Sequence, residues 1–156
     1  MSGAVERFLD AARAEGLAPD VHRFPEGTKT ASDAARAIGC DVGQIVKSLV
    51  FMADGRAVMA FTSGANHVDE RKLGSVLGAE EVMRASPEQA RGATGFAVGG
   101  TPPFGHPECL TCLVDPALLA WDKIWAAAGT PDSVFPLTPS DLLRVTGATS
   151  ADFIAG

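Results

Sequence analysis

Tyrosine is absent from the 156-residue sequence, aromatic residues make up only 6% of it, and there are three cysteines. Because Cys40, Cys109 and Cys112 are odd in number, we expect free thiols and a reducing compartment rather than a disulfide framework. No apolar run approaches the ~20 residues that a membrane helix needs, and residues 1–16 lack the apolar centre of a signal peptide. These absences predict a cytoplasmic protein that does not contact membranes.

Basic residues are also scarce, with 13 lysines and arginines against 19 aspartates and glutamates and a net charge of −6. The sequence pI of about 4.9 argues against a broad basic surface that would hold nucleic acid. A local patch at Arg71 and Lys72, or at Arg84 and Arg91, remains open. The hydrophobic fraction of 46% is ordinary for a globular chain, and the length predicts one domain over residues 1–156.

The common sequence signatures of catalysis are missing. There is no Walker A motif, no G-x-G-x-x-G and no G-x-S-x-G. His106, Cys109 and Cys112 suggest zinc by residue type, and the two cysteines also suggest a redox pair. However, a strand over 109–114 would place the two thiols on opposite faces, and no second ligand pair completes a zinc site. We therefore predict no metal and no cofactor, with the cysteines as small buried residues.

The spacing of apolar residues predicts helices mixed with strands. Asp54-Gly55 separates two nearly continuous apolar runs, 47–52 and 57–62, which is typical of a hairpin covered on both faces. Residues 92–107, rich in glycine and proline, predict an irregular loop. Further helices are predicted at 2–16 with Ser2 as cap, 30–39, 68–77, 86 onward, 115–119 and 138–147, and further strands at 21–24, 81–84, 110–114, 124–128 and 134–137.

Two features of the sequence could take part in binding or catalysis. Lys47 stands at the start of an apolar strand, where its amine must reach water or meet an anion. In the run Gly99-Gly100-Thr101-Pro102-Pro103-Phe104-Gly105, consecutive glycines allow backbone N–H groups to converge on an oxygen, as in an oxyanion hole. The alternatives are a strand-end lysine that reaches solvent and a tight surface turn. Of the three histidines, His106 is of interest because it ends this loop.

Four motifs in order carry a resemblance to a known family: QIVKSLVF at 44–51, TGFAVGGTPPFGH at 94–106, LVD at 113–115 and WAAAG at 125–129. Together they resemble the YbaK/EbsC family, the free-standing relatives of the prolyl-tRNA synthetase editing (INS) domain. The resemblance spans roughly residues 5–148. It implies an α+β fold with a mixed, partly barrel-like β-sheet flanked by helices.

The resemblance also implies an aminoacyl-tRNA deacylase that removes a mischarged small amino acid, such as alanine or cysteine, from tRNA(Pro) in trans. The expected partners are the acceptor end of mischarged tRNA(Pro) and, as a candidate, prolyl-tRNA synthetase. Such an ester is already activated, so positioning, oxyanion stabilisation and a water suffice without a dedicated nucleophile. The alternative is a non-catalytic module that binds aminoacyl-tRNA or a nucleotide and regulates another process.

By this resemblance, the backbone of Gly99–Gly105 receives the carbonyl oxygen, and Lys47 anchors oxygens of the terminal adenosine. The water is activated by the substrate's own ribose hydroxyl or amino group. The implied catalytic residues are Lys47, Gly99, Gly100, Thr101 and Gly105, and the implied substrate-binding residues are Thr30, Ser48, Pro103, Phe104, His106 and Ala127.

Two positions depart from the branch of the family that removes cysteine. In that branch a threonine follows the lysine and a serine precedes the late glycine pair, whereas this chain has Ser48 and Ala127. Alanine or another small amino acid is therefore as admissible a substrate as cysteine.

Overall fold

The computed structural model describes residues 3–25, 30–107 and 109–156. Within these ranges the chain forms five α-helices and eight strands. The helices are α1 (Gly3–Ala14), α2 (Ala31–Ile38), α3 (Glu70–Leu77), α4 (Pro87–Thr94) and α5 (Pro139–Thr146). The strands are β1 (His22–Arg23), β2 (Val46–Ala53), β3 (Arg56–Ser63), β4 (Val82–Arg84), β5 (Thr111–Val114), β6 (Ile124–Ala127), β7 (Ser133–Leu137) and β8 (Thr149–Ser150).

The strands form two sheets. One sheet has the order β4-β2-β3-β5-β8, and it is mixed because β5 runs parallel to β3 and to β8 while the other pairs are antiparallel. The second sheet, β1-β7-β6, is antiparallel. A single parallel bridge between Ile45 and Trp125 connects the two. The α+β class with a mixed sheet is confirmed, but within the described chain the sheets do not close, so the barrel-like character is not observed.

The β2–β3 hairpin forms as predicted. Asp54 and Gly55 both have positive φ, 49° and 82°, the backbone that a tight turn between twisted strands requires. The Asp54 carboxylate accepts hydrogen bonds from the N–H groups of Glu80 and Glu81 at 3.2 and 2.9 Å. The turn is thereby tied to the segment that leads into β4.

Both faces of this hairpin are covered, which confirms the prediction from its apolar sequence. On one face Met59 and Phe61 join a core that includes Phe8. On the other face Phe51 packs in a second core with Phe153. Since neighbouring strand residues point to opposite faces, the continuous apolar run supplies both cores.

The predicted loop at 92–107 starts later than expected. Helix α4 continues to Thr94, because a capping box between Ser86 and Gln89 starts it and Gly95 ends it with φ 80°. The glycine at position 92 is tolerated in the last turn, since one helical glycine costs only about 1 kcal/mol. Strand β8 was not predicted, and Ser2 lies outside the described residues.

Helix α2 lies within the predicted range 30–39, with Thr30 and Gly39 as its two caps. The Thr30 hydroxyl accepts the Asp33 N–H at 3.0 Å, and Gly39 ends the helix with φ 85°. No helix in the described ranges is both long and apolar enough to cross a bilayer.

Candidate functional site

A cavity of about 690 Å³ lies between β2 and β6. It lies next to the Ile45–Trp125 bridge, beyond which no further pairing joins these two strands in the described chain. Strand β4 pairs with β2 only from Phe51 onward, so the first half of β2 has an open edge. The N-terminal half of α2, the start of α4 and the loop after α4 complete the walls.

The structure brings six of the eleven predicted site residues to this cavity: Thr30, Lys47, Ser48, Gly99, Thr101 and Ala127. The other five do not line it: Gly100, Pro103, Phe104, Gly105 and His106. The lining residues come from α2, β2, β6 and the loop, which are far apart in sequence. Their assembly gives the site its geometry, while their individual roles stay predictions.

Lys47 occupies the second position of β2, opposite Thr62 of β3. Its Nζ donates a hydrogen bond to the main-chain carbonyl of Asn66. Burial lowers the pKa of Lys47 below its usual value, the positive charge of Arg84 lowers it further, and the negative charge of Asp115 raises it. The amine is therefore half-buried at the cavity wall, with one cation and one carboxylate acting on its charge.

Ser48 is the neighbour of Lys47 and also lines the cavity. Its Oγ is buried and has no hydrogen-bond partner in the described part of the chain. A buried hydroxyl without a partner costs about 1–3 kcal/mol, which favours a ligand or a water that satisfies it. Because Lys47 and Ser48 point to opposite faces of β2, the cavity extends around the open edge of this strand.

The turn from Ala97 to Thr101 forms the opposite wall. The Gly100 N–H and the Thr101 hydroxyl both donate to the Ala97 carbonyl, at 3.0 and 3.1 Å. In contrast, the N–H groups of Gly99 and Thr101 make no hydrogen bond within the described residues. Gly99 and Thr101 both line the cavity, whereas Gly100 does not.

Glycine is required at positions 99 and 100 for different reasons. Gly99 has φ 88°, a conformation that other residues adopt only with strain. At Gly100, a Cβ atom would lie 2.7 Å from the backbone of Thr130. The glycine pair therefore forms the turn and lets it pack directly against the segment that follows β6.

The second half of the loop points away from the cavity. Phe104 is only 7% exposed and packs against Phe8 and Phe135, with ring centroids 5.1 and 6.2 Å apart. His106 Nε2 lies 2.8 Å from the Pro102 carbonyl, and burial lowers the pKa of this imidazole. These contacts anchor the loop to the core.

Three further residues bear directly on the site: Arg84, which the sequence offered only as part of a local basic patch, and His67 and Asp115, which were not predicted. Arg84 lines the cavity and forms no ion pair with a described carboxylate; its guanidinium lies 5.7 Å from the Phe51 ring centroid. His67 also lines the cavity. Asp115 is buried behind Lys47. The acid in the LVD motif was a signal for Asp115, whereas nothing in the sequence separates Arg84 or His67 from ordinary surface residues.

Cys109 and Cys112, which lie near His106 in the sequence, do not have the properties of a metal site or a redox pair. Cys109 is exposed, and the half-buried Cys112 donates its thiol to the Leu110 carbonyl at 3.4 Å. Burial raises the pKa of Cys112 to about 11, which opposes the thiolate that metal binding or disulfide exchange needs. Within residues 3–25, 30–107 and 109–156, no three His, Cys, Asp or Glu side chains are grouped to hold a metal ion.

Comparisons with known proteins converge on one family. The family model of the aminoacyl-tRNA editing domain matches residues 25–145. A solved structure named "Crystal structure of a putative trans-editing enzyme for prolyl tRNA synthetase" superimposes with a TM-score of 0.94 and 41% identity, covering 100% of this chain and 99% of that one.

Two curated relatives show the extent of the match. "Uncharacterized protein YwhH" of Bacillus subtilis (strain 168) is 30% identical over 79% of this chain and 78% of its own. The proline–tRNA ligase of Limosilactobacillus fermentum is 36% identical over 57% of this chain but only 16% of its own length. The chain thus corresponds to a small part of that ligase.

Proposed function

The chain belongs to the aminoacyl-tRNA editing domain family, and from that premise we propose that it hydrolyses the ester of a mischarged small amino acid on tRNA(Pro), acting in trans. Alanine and cysteine are the candidate amino acids. A synthetase pocket for proline cannot strongly exclude smaller amino acids, so a second hydrolytic site restores fidelity. Because charged tRNA is the substrate, we propose the cytoplasm as the place of action and prolyl-tRNA synthetase as a partner.

The observation that carries this proposal is the pair Lys47 and Ser48, an amine and an unpartnered buried hydroxyl that lie on opposite faces of β2 and both line the cavity. A cavity of about 690 Å³ is within the usual size range of small-molecule sites, about 300–1,000 Å³. It can hold an aminoacyl group together with part of the terminal nucleotide. The Lys47 amine and the Ser48 hydroxyl supply polar contacts to its oxygens.

The reaction needs few groups. A water oxygen attacks the ester carbonyl carbon, the carbonyl oxygen becomes an oxyanion, and the bond from carbon to the ribose oxygen then breaks. The proton lost by the water passes through the substrate's own hydroxyl or amino group and ends on the ribose oxygen. The free N–H groups of Gly99 and Thr101 are the donors that we assign to the oxyanion.

The acceptor end needs a cation, because the chain as a whole carries a net charge of −6. Arg84 lines the cavity without a carboxylate partner in the described chain and lies close enough to Lys47 to lower its pKa. Two neighbouring cations favour an anion between them. We assign a phosphate oxygen of the terminal nucleotides to Arg84, which confines tRNA contact to a small patch.

The test is deacylation of tRNA(Pro) charged separately with alanine, cysteine, serine and proline. We expect rapid loss of one non-cognate amino acid and retention of proline. Lys47→Ala should reduce the rate about 10²-fold, the size of effect seen when one stabilising donor is removed. Lys72→Ala is the matched control, since Lys72 Nζ also donates to a main-chain carbonyl, that of Ile154 at 2.8 Å, but does not line the cavity.

The outcome that contradicts the proposal is a folded protein that releases none of the four amino acids. If that protein still binds the charged tRNA, it acts as the non-catalytic module instead.

A further inference from the structure

Behind Lys47 lies a chain of hydrogen bonds that the reaction scheme does not use. We propose that Asp115, acting through Asn66, is a positioning residue that fixes the Lys47 amine at the cavity wall. This inference rests on the proposed function, because Lys47 is the residue it serves. Neither Asp115 nor Asn66 lines the cavity.

The carboxylate of Asp115 is fully engaged. Asp115 is 2% exposed, and its Oδ1 accepts the N–H of Ala117 at 2.9 Å, which caps the 3₁₀ helix that follows. Its Oδ2 accepts the N–H of Ser63 at 3.1 Å and the side-chain amide of Asn66 at 2.9 Å. Oδ1 thus caps the following 3₁₀ helix, and Oδ2 anchors the end of β3 and the segment after it.

Asn66 transmits this constraint to the lysine. Its side chain is held by Asp115, and its own N–H donates to the Ser63 carbonyl at 2.9 Å. Its main-chain carbonyl accepts the Lys47 amine. The position of that carbonyl is therefore set by the anchored side chain, and the amine follows it.

Electrostatics act in the same direction as the geometry. The charged groups acting on Lys47 are Arg84, which lowers its pKa, and Asp115, which raises it. A buried carboxylate supports the ammonium form against burial and a neighbouring cation. Asp115 therefore helps to fix the position of the Lys47 amine and to stabilise its positively charged form.

A helix cap alone would explain only part of these contacts. Asp69 is a useful comparison, because it caps α3 by accepting the N–H groups of Arg71 and Lys72 at 2.9 and 3.3 Å. It has the same residue type and a similar local role. No hydrogen bond links its side chain to Asn66 or Lys47 in the described chain.

The experiment compares Asp115→Ser with Asp69→Ser, because serine keeps a cap while it removes the charge. The first readout is the pH titration of Lys47, monitored by the ¹³Cε chemical shifts of the four lysines in labelled protein. The signal that is missing in Lys47→Arg is assigned to Lys47. The second readout is kcat and KM for deacylation of mischarged tRNA. Asp115→Ser and Asp69→Ser both retain Lys47, so any change in its titration or in kcat is transmitted from the substituted position.

We expect Asp115→Ser to lower the midpoint of the Lys47 titration and to reduce kcat about 10- to 100-fold, as small misplacements do, with KM changed less than twofold. Asp69→Ser should leave both readouts unchanged. An unshifted Lys47 titration in Asp115→Ser, or a shift without loss of kcat, overturns the inference. The titration needs no substrate, so an unshifted Lys47 titration overturns the inference even if wild-type protein releases no amino acid.

A second variant keeps the test valid if Asp115→Ser does not fold. Asn66→Asp is nearly isosteric and places a carboxylate against that of Asp115. At neutral pH the two repel each other and kcat should fall about tenfold or more. At acid pH one shared proton restores the bond, so kcat relative to wild type should recover. Equal relative kcat at all pH values would contradict the role of Asn66.

Discussion

The two halves of the loop after α4, residues 97–101 and 102–106, have different structural roles, although in the sequence they form one run rich in glycine and proline. Residues 97–101 turn tightly, and Gly99 and Thr101 line the cavity. Residues 102–106 instead bury Phe104 in the aromatic core. The comparison teaches that a tight turn can be held in place by anchoring the residues that follow it, which matters because backbone donors stabilise an oxyanion only when their position is fixed.

The largest effect that separates the two halves is expected from Phe104→Ala. Removing a buried aromatic side chain from the core should lower the free energy of unfolding by about 3–5 kcal/mol. Activity per folded molecule should stay within a few-fold of wild type at a temperature well below the melting point, since Phe104 does not line the cavity. Chemical denaturation and deacylation assays measure both; a large loss of activity in fully folded protein would assign Phe104 to the site.

Gly100→Ala should affect stability and activity together. The new Cβ would lie 2.7 Å from the Thr130 backbone, so the turn must move, at a cost of about 1–3 kcal/mol, and the donors at 99 and 101 move with it. Gly92→Ala is the matched control, because its Cβ meets nothing within 4 Å. That substitution in α4 should raise stability by about 0.5–1 kcal/mol without changing the deacylation rate.

Thr101→Val sharpens the comparison within the turn. It removes the hydroxyl that donates to the Ala97 carbonyl while keeping the shape and the main-chain N–H. We expect a stability loss of about 1 kcal/mol and a several-fold lower kcat, because the turn loses one of its two internal bonds. An unchanged kcat would show that the Gly100 bond alone holds the turn.

The smallest effect is expected in the pH dependence of the unfolding free energy, through His106 in residues 102–106. Burial lowers the pKa of His106 in the folded state, so the neutral form is favoured and the folded protein binds fewer protons than the unfolded one. His106 therefore stabilises above the unfolded pKa of about 6.5, and this contribution is lost as the pH falls through the lower folded value. Compared with His106→Gln, wild type should lose slightly more unfolding free energy between pH 7 and pH 5; identical slopes would contradict this.

Local sequence signals predicted much of the fold for identifiable reasons. The turn at Asp54-Gly55, the cap at Thr30 and the capping box at Ser86 each depend on residues within four positions of one another. The boundary of α4 was missed because its caps outweigh one internal glycine. Strand β8 was missed because two residues carry no period and exist only by pairing with β5.

Some residues of the candidate site could likewise be predicted from local sequence, and others could not. Lys47 and the glycine pair stood out because an amine in an apolar strand and consecutive glycines are unusual locally. Phe104 and His106 belong to the same motif, yet only packing shows that they serve the core. Arg84 was named only as one half of a possible basic patch, and His67 gave no local signal, since the relevance of both depends on the cavity that they line.

The sequence by itself determined the local geometry: where the helices begin, where the hairpin turns, and which residues supply an amine and a flexible backbone. Only the tertiary structure decided that β2 and β6 separate beside the Ile45–Trp125 bridge, that the glycine turn and Lys47 both line the resulting cavity, and that Asp115 reaches the lysine through Asn66. Hydrogen-bonding preferences within a few residues can be read along the chain. The meeting of residues 47, 66 and 115 depends on the order of β2, β3 and β5 within one sheet, and the place of residue 99 depends on its packing near the second sheet; no local pattern encodes either.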